Sequence, residues 1–168
     1  YNYTSADDRR ILALLVGDEV LAPLERLVVS RRTGRSWRLL MRFVGDLFIH
    51  RRNPFLYQEL VDNRDRRERF LDAAQRDLAL IADRSQHEPD LVLVLDHCRR
   101  KLEALRTELA GVGPLRDRIR QHLGAIVGEH NLFWDPFTLA AHATDATDWR
   151  LHLPIAVVCP AEEAQVPP

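Results

Sequence analysis

Leu91, Leu95, Cys98, Leu102, Leu105 and Leu109 recur at intervals of three and four residues. That spacing lays all six on one stripe of an α-helix, and a stripe so apolar must be covered by another element. A partner stands just upstream, where Phe70, Leu71, Ala74, Leu78 and Ile81 repeat the pattern. Asp65/Arg69 and Asp72/Arg76 add pairs four residues apart on its wet face. The spacing predicts helices over about 64–84 and 89–110, turned antiparallel by the short joint Ser85–Glu88. Gly111 and Gly113 stop the second helix. Pro114 opens a third, which Gly128 stops after about Val127. With a neighbouring helix available, the stripe is more easily buried within the domain than in a dimer.

The flanking regions are shorter and more mixed. Ser5 with Asp8 three residues on is a capping arrangement for a first helix bearing Ile11, Leu12, Leu15 and Val16, with Gly17 as its left-handed stop. A second helix runs from Asp18 to about Ser30 on Val20, Leu21, Leu24, Leu27 and Val28. Trp37–Val44 alternates, and Gly45-Asp46 separates it from Leu47–Arg51, which favours a β-hairpin. A helix through Leu39, Leu40, Phe43, Val44 and Leu47 competes with it. Asn53-Pro54 pairs a cap with a proline at the first helical position and opens a short helix ending near Asp62-Asn63. After Gly128 the texture becomes aromatic, acidic and Thr-rich, with a turn signal at Asp135-Pro136. Ile155–Cys159, between Pro154 and Pro160, reads as a short buried strand. A helix-like stretch begins over Ala161–Val166.

With 46% hydrophobic and 29% charged residues, the chain of 168 residues is neither a disordered tail nor a low-complexity linker. Its longest apolar runs fall far short of the roughly 20 residues needed to span a bilayer. No signal-peptide order is present, and Cys98 and Cys159 form neither a disulfide framework nor a zinc pattern. A reducing, cytoplasmic setting is the expectation. The lack of an initiator Met before Tyr1 and the stop at Pro167-Pro168 suggest a segment of a longer polypeptide.

Net charge is only −1, but the charges segregate. Arg26, Arg31, Arg32, Arg35, Arg38, Arg42, Arg51 and Arg52 face one acid, Asp46, within Arg26–Arg52, whereas acids dominate after Gly128. This basic face could meet phosphate or an acidic partner. No nucleic-acid reader motif accompanies it, so nucleic acid is not an expected partner. His87, His97, His122, His130 and His142 do not fall at metal-ligand spacing, and His97 and Cys98, being adjacent, should point to different faces. No metal site follows. No G-x-S-x-G elbow and no glycine-rich nucleotide loop occurs, so no catalytic residue is assigned.

Three elements in order carry a resemblance: His142-Ala-Thr-Asp145-Ala-Thr-Asp148-Trp149-Arg150, then Pro154-Ile-Ala-Val157-Val158-Cys-Pro160, then Glu162-Glu163 with Val166. They resemble the opening of the flavin-binding domain of FAD-linked oxidases of the glycolate oxidase and D-lactate dehydrogenase group. Tyr1-Asn-Tyr-Thr-Ser5, Arg32-Thr-Gly34-Arg35-Ser36, Gly45-Asp46, Arg52-Asn53-Pro54 and Asp135-Pro136-Phe137 are similar to the N-terminal region of a branch of that group. In that branch, very large chains also carry a C-terminal iron–sulfur part. The resemblance implies FAD in the parent chain, held by a glycine-rich loop beyond Pro168. It also implies partners in the flavin and iron–sulfur domains of the same polypeptide. Asp145, Asp148, Trp149, Arg150 and Pro160 are the family-motif candidates, shaping or packing against the flavin domain. The plainer alternative is an Asp/Thr turn bonding its own backbone, with Trp149 as a plug.

The expected fold is mainly α, about six helices with an antiparallel helical hairpin, one small β-hairpin and a C-terminal strand, α+β overall. Residues 1–130 would form a helical N-terminal domain, and 131–168 a linker with the first strand of a truncated FAD-binding domain. The expected function is that of an N-terminal segment of an FAD-dependent 2-hydroxy acid oxidoreductase, structural or docking and not itself catalytic. The alternative is a stand-alone helical interaction module that binds an acidic partner through Arg26–Arg52.

Overall fold

Six α-helices and one pair of very short strands make up the described part of the protein, in a computed structural model that describes residues 13, 16–29, 35–83, 88–143 and 154–166. The helices are α1 (Asp18–Val29), α2 (Arg35–Arg52), α3 (Pro54–Asp62), α4 (Arg64–Asp83), α5 (Pro89–Val127) and α6 (Pro136–Ala141). The strands are β1 (Leu132–Phe133) and β2 (Val157–Val158). The class is therefore mainly α with a small β component, as the patterns predict. The helix begun at Ser5 lies outside the described residues except for Ala13 and Val16, which are helical. The Ser85–Glu88 joint also lies outside them, apart from Glu88.

The chain forms two compact units. One draws on residues 1–48 and 68–105, the other on 49–67 and 106–168. In the first unit, Gly17 ends the preceding helix at φ +93°, and its N–H donates to Ala13 O at 2.7 Å. A side chain there would be strained, because L-residues avoid this region. Between α1 and α5, Glu19 faces His97 and Arg26 grips Asp90 through two bonds of 2.8 and 2.6 Å. The two contacts lie seven residues apart on each helix and in opposite order, so these stretches run antiparallel, matched over about two turns. Arg42 on α2 reaches Asp77 on α4, with Nε at 3.1 Å. Leu24, Leu40, Leu78, Ile81 and Leu105 have no exposed surface. Burying a leucine or isoleucine of this kind contributes about 1.5–3 kcal/mol.

The stripe Leu91–Leu109 is buried at all six positions, and so are Leu71, Ala74, Leu78 and Ile81. Two expectations are corrected here. Residues 37–51 are helical, not a hairpin: Leu40, Phe43, Val44 and Leu47 are buried at helical spacing, whereas Met41, on the hairpin's apolar side, is exposed. The segment fits both periods, and the buried face selects the helical one. Secondly, Gly111, Gly113 and Pro114 neither stop nor start a helix; α5 runs through them for 39 residues. The φ of proline suits a helix, and its interruption costs the one bond to the Ala110 carbonyl. His97 and Cys98, 100° apart around α5, are both buried. The covered arc of α5, which also takes in Val94 and Leu95, spans more than the 100° between neighbours.

In the second unit, Asn53 caps α3 by accepting from Phe55 N and Leu56 N at 3.0 and 3.2 Å, with Pro54 at the first position. Asp135-Pro136 is the same device and not a turn: Asp135 Oδ1 accepts from Thr138 N at 2.9 Å and opens α6, which packs on α3. These amide bonds, the Thr138 N–H foremost, hold the Asp135 carboxyl below its usual range. Gly128 closes α5 at φ +85°. Of the expected strand Ile155–Cys159 only Val157–Val158 pair, as β2, antiparallel to β1 with Leu132 opposite Val158 and Phe133 opposite Val157, and only Val157 of the five is buried. Cys159 N–H adds a bond to Asn131 O at 3.0 Å. The stretch after Pro160 makes one 3-10 turn, Glu163–Gln165, tied back when Gln165 Nε2 donates to Ile126 O at 3.0 Å.

Candidate functional site

The second unit carries an open cleft of about 410 Å³. Its walls come from the end of α2 (Arg51), from α3 (Pro54, Tyr57, Gln58), from α5 (Thr107, Glu108, Gly111, Val112, Leu115, Arg116, Arg118), from α6 (Leu139) and from Pro154 and Ile155 ahead of β2. The α5 residues lie near three- and four-residue spacing, so one flank of that helix is the floor.

Three arginines and one acid line the cleft, and the acid is already engaged. Glu108 Oε2 accepts from Arg51 Nη2 at 2.6 Å, and Glu108 Oε1 from the Tyr57 hydroxyl at 2.7 Å. Burial, then the bond to Glu108, pushes the Tyr57 phenol well above its ordinary range, so it stays a donor. Arg116, only 12% exposed along its side chain, donates to Asp62 Oδ1 at 3.0 Å and to Gln58 Oε1 at 2.6 Å. The buried Gln58 passes the contact on, donating to Asp62 Oδ2 at 2.7 Å. Arg116 and Arg120 both lie over the Trp134 ring, 5.5 and 5.6 Å from its centroid. Arg116 Nε is buried without a partner. Arg118 is exposed and makes no ion pair among the described residues.

The residues singled out by sequence fall elsewhere. Asp145, Asp148, Trp149 and Arg150 lie outside the described residues, and Pro160 is exposed beside Cys159. Of the four arginines of the basic face whose side chains are described, three are paired within the fold: Arg26 with Asp90, Arg42 with Asp77 and Arg51 with Glu108. Arg38 is exposed; Arg31, Arg32 and the side chains of Arg35 and Arg52 lie outside the description. The pairing acids stand 64, 35 and 57 residues away, so local charge counting misses them. The cleft residues likewise carry no local signal, because each looks like an ordinary position on its own helix.

Among the described residues, no three His, Cys, Asp or Glu side chains converge as a metal site, and no helix is long and apolar enough to cross a membrane. Nor do they fit FAD. Gly111 and Gly113 lie inside α5, where amides serve the helix, and the positive-φ Gly17 and Gly128 stand isolated. No phosphate cradle of successive bare amides results.

Fold and cleft together define a mainly helical protein with a two-stranded annex and a basic, open hollow in one unit. Residues 1–107 match the family described as "Protein of unknown function (DUF3683)", and the chain belongs to that family. No curated protein and no solved structure matches it.

Proposed function

We propose that the chain is the N-terminal, non-catalytic part of a larger FAD-dependent 2-hydroxy acid oxidoreductase of the D-lactate or glycolate type. It acts in a reducing, cytoplasmic setting and serves to scaffold or dock the flavin and iron–sulfur domains. The observation that carries this reading is the run Pro154–Pro160, the middle element of the family-like motif. Within it Val157–Val158 form β2, which belongs to a sheet of only two strands among the described residues, so one of its edges has no strand neighbour there. An open edge accepts a further strand through its free N–H and C=O groups, which is what the first strand of a larger sheet must do. The engagement of three of the eight Arg26–Arg52 arginines by internal acids weighs against a stand-alone module that binds an acidic partner.

The test is to purify the native polypeptide that contains these residues from its own cell. A chain far larger than 19.4 kDa, with a flavin absorbance spectrum bleached by D-lactate or glycolate, is expected. A mature chain of this size, or a larger one without flavin, would overturn the proposal.

A further inference from the structure

We propose that the cleft of the second unit is a binding site for a small organic oxyanion, a carboxylate or phosphate head on a short apolar tail. The proposal is independent of the flavoenzyme reading, since it needs only the cleft's own walls. Its volume, about 410 Å³, falls within the roughly 300–1,000 Å³ usual for metabolite-sized ligands. Three arginines line the cleft, two of them paired. Arg51 and Tyr57 satisfy both oxygens of Glu108, the cleft's only acid, so its repulsion of an anion is cancelled. Arg118 is left with a guanidinium that no described residue pairs, and planar guanidinium forks suit carboxylate and phosphate oxygens. Leu139 and Ile155 also line the cleft and offer apolar surface for a tail.

Gly111 gives the cleft a position at which its space can be filled by substitution. It sits inside α5, has no positive φ, and a Cβ built on it would meet nothing within 4 Å. Neither the backbone nor the packing requires glycine there, yet glycine in a helix interior is about 1 kcal/mol worse than alanine. Gly111 lines the cleft. Gly111 is exposed, and a larger side chain there would project into the cleft.

The experiment titrates the chain with butyrate, butyl phosphate and butylammonium, read by calorimetry and by the amide resonance of Gly111. Saturable binding of at least one anion and none of the cation is expected; the tighter anion tells whether the natural head is a carboxylate or a phosphate. Arg118→Gln should weaken binding about tenfold, equivalent to about 1.4 kcal/mol. Gly111→Leu should abolish binding while melting no lower than the wild type, because the side chain projects into open space. If that variant melts lower, Gly111→Ala with Arg118→Gln decides instead, and both must weaken binding. Absence of saturable anion binding by the wild type, equal binding of butylammonium, or unchanged affinity in folded variants would overturn the proposal.

Discussion

Removing Arg116 separates an interaction that stabilises the fold from one that merely satisfies its own components. Its guanidinium joins buried Gln58, exposed Asp62 and the Trp134 face. In Arg116→Ala, the acceptor of Gln58, a residue 3% exposed, loses its donor, a loss of about 1–3 kcal/mol. Loss of the stacked cation adds about 0.5–1 kcal/mol. The Asp62 pair adds little: the carboxylate is 60% exposed, and such pairs contribute about 0–1 kcal/mol. Removing the unpartnered Nε returns part of this, so the net destabilisation should be about 2 kcal/mol. Arg116→Met should cost about the same, because Gln58 is again left unmatched. The double variant Gln58→Leu/Arg116→Met removes both polar partners and should recover at least about 1 kcal/mol relative to the sum of the single changes. Urea unfolding followed by Trp134 fluorescence, with Trp37 and Trp149 replaced by Phe, measures the cycle. Additive single changes, or an Arg116→Ala effect below about 0.5 kcal/mol, would refute the assignment of a coupled buried network.

Three further outcomes are expected. Asn53→Ala should cost about 1 kcal/mol, because two α3 amides lose their acceptor, and Asn53→Gly should cost only a few tenths; urea midpoints rank the two. Burial pushes the Cys98 thiol up to about 12, while Cys159 is exposed, so a thiol reagent should titrate one cysteine in the native protein and the second only after unfolding. His97 should make the fold acid-sensitive. Its burial lowers its pKa below the ordinary value, outweighing the opposing pull of Glu19, whose Oε1 lies 3.0 Å from Nδ1; Lys101 and Arg100 lower it further. The unfolded chain therefore binds the proton more readily, so this contribution is full above the ordinary histidine range and is lost as pH falls through it towards the depressed folded value. Stability measured from pH 8 to 5 should fall less steeply in His97→Phe; an identical slope would clear His97 of the role.

The helices of the long stripes could be placed from local pattern because their information is local. Leu91–Leu109 and Leu71–Ile81 each specify a buried face by spacing alone, and the Asn53-Pro54 and Gly17 signals act within one turn. Residues 37–51 were ambiguous for the same reason. An apolar pattern compatible with two periods is resolved only by which positions other elements cover, and they cover Leu40, Phe43, Val44 and Leu47. Pro114 shows the converse: a reliable local boundary signal gives way when its cost, about 3 kcal/mol, is outweighed by the continued burial of Leu109, Val112 and Val127 on one helix.

The chain's periodicity, caps and composition alone determined that it would be helical, where most helices begin, and that no apolar run could span a bilayer. Tertiary structure decided which charges remain available and where a hollow opens. Arg26, Arg42 and Arg51 meet acids more than 30 residues away, and the cleft gathers residues from 51 to 155. Helix formation depends on neighbours within about four positions, whereas pairing and cavities depend on how distant faces meet, and that geometry has no one-dimensional period.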